Sequence, residues 1–105
     1  MSLQTPQTIT EVFTAHGIQT PFVVAHFQCQ ELALAVNLQG KYAVLLEITQ
    51  HGVFCESWEA AHNAQHVSHR RYDCFYKKAD TALTEIMAIN DRLTALLHDS
   101  AGGAA

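Results

Sequence analysis

The stretch that constrains the fold most is residues 58–97, where apolar and aromatic side chains recur at spacings of three and four. Such spacing places them on one side of an α-helix, which has 3.6 residues per turn. The stripe comprises Trp58, Tyr72, Phe75, Tyr76, Ala79, Leu83, Ile86, Leu93 and Leu97. The pattern predicts a long C-terminal helix whose most regular part covers residues 70–98. A bend is expected near Ser68, between this part and residues 58–67, because β-branched and hydroxyl-bearing residues weaken a helix there.

The first half of the chain carries the signals of a short helix followed by an antiparallel sheet. Pro6 fits the first position of a helix and Gly17 fits its end, which predicts a helix over residues 6–16. Beyond Pro21 the apolar residues alternate, as they do in strands. Glycines at positions 40 and 52 fit hairpin turns. The predicted strands cover residues 22–29, 32–38, 42–49 and 53–57.

These elements predict a single α+β domain over residues 1–99. It has a short N-terminal helix, a four-stranded antiparallel meander and a long C-terminal helix packed on one face of the sheet. A chain of 105 residues with 49% hydrophobic and 15% charged residues fits one folded domain and excludes a disordered chain. The Gly/Ala-rich residues 100–105 predict a disordered tail.

The predicted helix is longer than the sheet that it covers. At 1.5 Å per residue it spans about 43 Å, whereas strands of seven residues span about 23 Å. We therefore expect a homodimer in which the overhanging turns pack against a second copy. The expected interface comprises Ile86, Ile89, Asn90, Leu93, Leu96 and Leu97. Alternatively, the helix kinks or ends early and Asn90 faces water.

A basic segment is the main candidate for a binding surface. Four of the six Lys and Arg residues lie within residues 70–78, although the net charge is −4 with neutral histidines. The candidate binding residues are His62, His66, His69, Arg70, Arg71, Lys77 and Lys78. They predict a non-catalytic binding or regulatory protein that contacts an acidic surface on another protein.

Nucleic acid is the first alternative partner. Cations interleaved with Tyr72, Phe75 and Tyr76 resemble the mixture that binds phosphate backbones and stacks on bases. A negative net charge opposes this interpretation, as does the placement of the aromatic residues on the predicted buried stripe.

Metal binding is the second alternative. His62, His66 and His69 are spaced by four and three, so they share one face of a helix. His62 and His69 are separated by about 10 Å of helical rise, so one ion would need further ligands. The available donors are Glu59, His26, His51 and the cysteines, which form no second dense cluster, and no cofactor is predicted.

Sequence motifs of catalysis are scarce. The chain has no GxSxG motif and no phosphate-binding glycine loop. The best enzyme hypothesis is a thiol site formed by Cys55 and His51 with Glu47. The three cysteines are widely spaced, which predicts that they are reduced thiols. The sequence contains no run of about 20 apolar residues, so no membrane span is predicted. We therefore expect a cytoplasmic protein.

Overall fold

The computed structural model describes residues 8–61, 70–78 and 80–103, which form three helices and three strands. In chain order these are α1 (Ile9–Ala15), α2 (Thr20–Gln39), β1 (Tyr42–Ile48), β2 (Val53–Glu59), β3 (Arg70–Cys74) and α3 (Ala82–Gly103). The α+β class is confirmed, with a short N-terminal helix, an antiparallel sheet and a long C-terminal helix packed on that sheet.

The sheet has the order β1-β2-β3, and both pairs of strands are antiparallel. Cys55 of β2 lies opposite Leu46 of β1 and Tyr72 of β3. Because side chains alternate along a strand, Val44, Val53 and Cys55 face the helices. The other face carries Leu45, Phe54 and Glu56 in neighbouring positions.

The core lies between the sheet and the two long helices, with α2 against β1 and α3 against β3. Its largest fully buried side chains are Ile86, Ile89 and Leu93 of α3, together with Val36 of α2 and Val53 of β2. The buried side of α2 comprises Phe22, Ala25, Cys29, Ala33 and Val36. Small residues at two of these positions let the two helices approach each other closely.

The two strands predicted over residues 22–29 and 32–38 are wrong, because this region is the single helix α2. Its core-facing residues are spaced by three and four, as a helix requires. Large apolar residues also occupy the opposite side, so the helical period is hidden and residues 32–38 alternate as in a strand. No turn residue such as glycine interrupts residues 28–31, where the reversal was predicted.

The predicted start of the C-terminal helix is also wrong. Residues 70–74 form β3, and α3 begins only at Ala82. Trp58, the first member of the predicted stripe, lies in β2, so its apparent helical spacing to Tyr72 is coincidental. The described residues therefore contain three strands, of which only those predicted over 42–49 and 53–57 were anticipated. The predicted break near Ser68 lies outside the described residues.

Helix α3 continues beyond the predicted domain end at residue 99 and reaches Gly103. Its last turns are tied to the start of β1. Asp99 accepts a hydrogen bond from the Tyr42 hydroxyl and pairs with the Lys41 ammonium at 3.1 Å. Helix α3 thus includes residues 100–103 of the segment predicted as a tail, and residues 104–105 lie outside the described part of the chain.

The connection between α2 and β1 is fixed by two residues. Gly40 ends α2 with a φ of 81°, in the left-handed region that glycine adopts readily. The Asn37 side chain accepts a hydrogen bond from the Val44 amide at 2.8 Å and donates one to the Val44 carbonyl at 3.0 Å. The end of α2 is thereby held against the middle of β1.

Two glycine substitutions test this packing. A Cβ added to Gly52 would lie 2.5 Å from the backbone oxygen of Cys74, so β2 and β3 would have to separate. We expect Gly52→Ala to lower the free energy of unfolding by about 1–3 kcal/mol. At Gly40, where nothing lies within 4 Å, Gly40→Asn should cost much less because asparagine tolerates a positive φ. Urea unfolding measures both; equal losses would contradict the described approach of Gly52 to β3.

Candidate functional site

The outer side of α2 carries a line of large apolar side chains that are at least half exposed. Its large side chains are Val24, Phe27, Leu34 and Leu38, which are 50%, 57%, 62% and 77% exposed. They recur at positions i, i+3, i+10 and i+14, so they form one line opposite the core-facing side of the helix. We call these four residues the α2 stripe.

Charge is almost absent from α2. In its 20 residues, Glu31 is the only acidic or basic residue apart from His26. A helix face that stays in water normally carries many charged side chains. Contiguous exposed apolar patches of this kind mark surfaces that bind a partner. The stripe is therefore the strongest candidate site on the described part of the molecule.

A groove lies beside the stripe, between α1, the first turns of α2 and the turn that joins β1 to β2. It has a volume of about 410 Å³. Its walls are mainly apolar, and they include Phe13, Phe22, Val23 and Phe27. Helix α1 closes one side although none of its residues is fully buried. Its end is tied to the following loop where the Ile18 amide donates to the Phe13 carbonyl at 2.9 Å.

The polar lining of this groove comes from His16, His26, Gln50, Tyr76 and Lys77. Burial lowers the pKa of His26, so this imidazole is neutral near pH 7. The Tyr76 hydroxyl donates a hydrogen bond to the backbone oxygen of Thr49. This bond brings the segment that contains Lys77 next to the segment that contains Gln50.

The basic residues of the predicted binding surface do not share one face. The Arg71 guanidinium pairs with Glu56 and Asp73, each at 3.0 Å, and hydrogen bonds to these carboxylates raise its pKa. It also lies over the Phe54 ring, 5.2 Å from the ring centre. Because its charge is already matched by two acids, Arg71 is a poor phosphate ligand.

The two lysines next to α3 have different surroundings. The Lys78 ammonium lies over the Phe75 ring at 5.3 Å, and that ring packs edge-on against Phe54 on the outer face of the sheet. Lys77 instead lines the groove. Arg70 begins β3, so the four predicted cations span a strand and the turn after it instead of one helical face. Binding of nucleic acid or of an acidic protein surface by this segment stays a prediction.

His62, His66 and His69 lie outside the described residues, so their use in metal or partner binding stays a prediction. Within residues 8–61, 70–78 and 80–103, no group of three His, Cys, Asp or Glu side chains could hold a metal ion. The two other histidines considered as donors belong to no such group. His26 is on α2, and His51 is exposed in the turn between β1 and β2.

The structure does not assemble the predicted thiol site. Cys55 is buried and faces the helices, whereas Glu47 lies opposite Phe54 and points to the other side of the sheet. His51 is exposed in the turn, where its ring contacts the Gln50 side chain at 3.3 Å. The three side chains therefore do not converge on one point.

All three cysteines are free and buried in the core. Burial raises the pKa of Cys29 to about 12, with smaller contributions from Cys55 and Cys74. Burial also raises the pKa of Cys55 and of Cys74 to about 11. The Cys74 thiol donates to the backbone oxygen of Ala82 at 3.3 Å. Thiols in this state serve packing, since the thiolate is the reactive form.

The residues predicted to form a dimer interface are used inside the single chain. Ile86, Ile89, Leu93 and Leu96 are buried against α2 and the sheet, and Leu97 packs against the same core. Asn90 is only 5% exposed, and its amide donates to the backbone oxygen of Ala25 at 2.9 Å. Self-association itself stays a prediction, but it would need a surface other than these side chains.

Sequence reasoning missed the α2 stripe because it assigned this region to strands. One signal could have revealed the stripe. Residues 20–39 hold only one acidic or basic residue besides a histidine, and their apolar residues fit helical spacing on two opposite sides. A helix that is apolar on all sides is usually buried on all sides.

Comparisons of the chain with protein-family models, with curated proteins and with solved structures give no significant match. In the part of the chain that the structure describes, none of the helices is both long enough and apolar enough to cross a membrane.

The cysteines provide a test of this core. A pKa raised to 11 or 12 leaves almost no thiolate at pH 8, and burial also blocks the reagent. We expect all three thiols to react with a disulfide reagent at pH 8 only when the protein unfolds. Their reaction should be immediate in denaturant. Fast labelling of Cys55 alone in the native protein would contradict the description and revive the thiol site.

Proposed function

We propose that this protein is a small non-catalytic binding module that self-associates through the α2 stripe. The observation that carries the proposal is the exposed line of Val24, Phe27, Leu34 and Leu38 on a helix with one carboxylate. The occupant of this surface is a second copy of the chain. The proposed interface thus replaces the α3 residues that the sequence predicted.

A two-fold arrangement fits the order of the side chains along α2. If two copies of α2 cross in antiparallel orientation near Glu31, Val24 of one chain lies beside Leu38 of the other. Phe27 likewise lies beside Leu34. Each large side chain therefore meets another apolar side chain, which a self-complementary two-fold interface requires. A partner with a charged surface could form an ion pair only with Glu31 on this side of α2.

The size of the surface determines how much of a two-chain interface the stripe itself would supply. The four side chains expose roughly 400 Å² in total, which is within the range of patches that serve as binding sites. Two copies would bury roughly 800 Å² from these side chains alone. Stable interfaces bury about 1,200–2,000 Å², so the polar residues beside the stripe would supply the remainder.

Placing a lysine in the stripe should separate the two copies. Leu34→Lys buries a charge at the proposed interface, so we expect the dissociation constant to rise about tenfold or more. Sedimentation equilibrium should then shift from twice the chain mass of 11.6 kDa toward that mass. The matched control is Leu45→Lys. Leu45 is 48% exposed on the outer face of the sheet, opposite Glu56, and should tolerate lysine.

Three results would contradict this proposal. They are a native protein that stays at 11.6 kDa at every concentration, equal effects of the two lysine variants, and an unchanged mass for Leu34→Lys. Circular dichroism of both variants confirms that the fold is retained. A larger complex containing a different protein would assign the stripe to that partner and overturn self-association.

Glu31 gives a second, independent test. Near the two-fold axis the two Glu31 carboxylates approach each other and repel, so Glu31→Gln should lower the dissociation constant several-fold at low salt. High salt should strengthen association of the native protein more than that of the variant. Glu47→Gln on the sheet is the control. Weaker association of Glu31→Gln would exclude an axis at this position.

A further inference from the structure

We propose that the groove between α1 and α2 binds a single-chain amphipathic carboxylate, with its hydrocarbon chain in the groove and its carboxylate at Lys77 and Gln50. This site is separate from the proposed self-association, and apart from Phe27 it uses none of the stripe residues. The groove is formed within one chain. Binding there would make the protein a carrier or sensor of such a molecule.

The shape and walls of the groove suit a hydrocarbon chain. Its volume of about 410 Å³ is in the range of sites that hold small molecules, about 300–1,000 Å³. Val12 and Phe13 of α1 form one wall, and Phe22, Val23 and Phe27 of α2 form the other. Val53 lies fully buried at the base, next to the sheet. Water gains few hydrogen bonds in such a space, so an apolar occupant is favoured.

Two polar side chains of the lining, Gln50 and Lys77, come from segments that are joined by a hydrogen bond. The Tyr76 hydroxyl, next to Lys77 in the chain, donates to the backbone oxygen of Thr49, next to Gln50. Lys77 forms no ion pair with any described residue, in contrast to Arg71 with its two carboxylates. An ammonium next to an apolar space attracts an anion more strongly than an ammonium in open water.

The charge of the lining selects a carboxylate over an amine. Among the described residues, none of those that line the groove is an aspartate or a glutamate. His26 faces the groove in its neutral form, since burial lowers its pKa, and the His16 ring is bonded to the Val12 carbonyl at 2.9 Å. The cation of Lys77 is therefore left for an anionic group, and Gln50 can donate from its amide.

The test is isothermal titration calorimetry of the full chain with dodecanoate, dodecanol and dodecylamine, each below its micelle concentration. We expect dodecanoate to bind at one site per chain and at least tenfold more tightly than dodecanol. Dodecylamine should not bind measurably. Equal binding of dodecanoate and dodecanol, or tighter binding of the amine, would overturn the role of Lys77. Absence of binding by all three would overturn the site.

Two variants and a neighbouring control locate the binding. Lys77→Glu should weaken dodecanoate binding at least tenfold, whereas Lys78→Glu, which alters the next residue on the outer face, should change it less than twofold. Val23→Trp should fill the groove and abolish binding, with circular dichroism as the check on folding. If Lys78→Glu weakens binding as much as Lys77→Glu, the effect comes from the net charge of the protein and not from Lys77, and the proposed site is wrong.

The two proposals fail separately. If the chain did not bind dodecanoate, the test of self-association with Leu34→Lys would still be valid, because Leu34 does not line the groove. If the native protein were monomeric, the groove would still be present, because it is formed within one chain.

Discussion

The packing of α2 against α3 is the interaction on which the rest of the structure depends. Ala25 and Ala33 allow the two helices to lie close together, and Asn90 joins them by donating to the Ala25 backbone. Both helices then cover the same face of the sheet. Breaking a buried hydrogen bond between helices leaves a buried polar group without a partner, which lowers the free energy of unfolding. The bond therefore also specifies how the two helices are aligned.

This packing has a consequence for the surface. One side of helix α2 is buried in the core, and four large side chains on its other side, Val24, Phe27, Leu34 and Leu38, are left exposed. The charged residues that usually occupy the outer side of a helix are thus almost absent from this one. The proposed association of two chains would enclose the stripe.

The secondary structure could be predicted from the sequence only where turn residues or a regular apolar spacing marked the segment. β1 and β2 were correctly predicted because the turn around His51 and Gly52 separates two strand-forming runs. The final helix was predicted because Ile86, Leu93 and Leu97 keep helical spacing. The start of that helix was misplaced, since Tyr72 and Phe75 fit a helical period by chance although residues 70–74 pair with β2.

The candidate sites were harder to predict for a physical reason. A stripe of exposed valine, phenylalanine and leucine has the same composition as a core. The two can be told apart only when it is known which side of α2 is covered by α3. The groove joins residues from α1, α2 and the strand ends, and no local pattern connects Val23 with Lys77. The pairing of Arg71 with Glu56 likewise arises from strand register, which the sequence did not reveal.

The proposed contact between two copies of the chain lies on the outer side of α2. It can be observed by isotope-filtered NMR on an equal mixture of carbon-13-labelled and unlabelled chains, which detects only contacts between different molecules. We expect intermolecular contacts between the Phe27 ring and the Leu34 methyl groups, and between Val24 and Leu38. Intermolecular contacts confined to α3 or to the sheet, with none from α2, would contradict this arrangement.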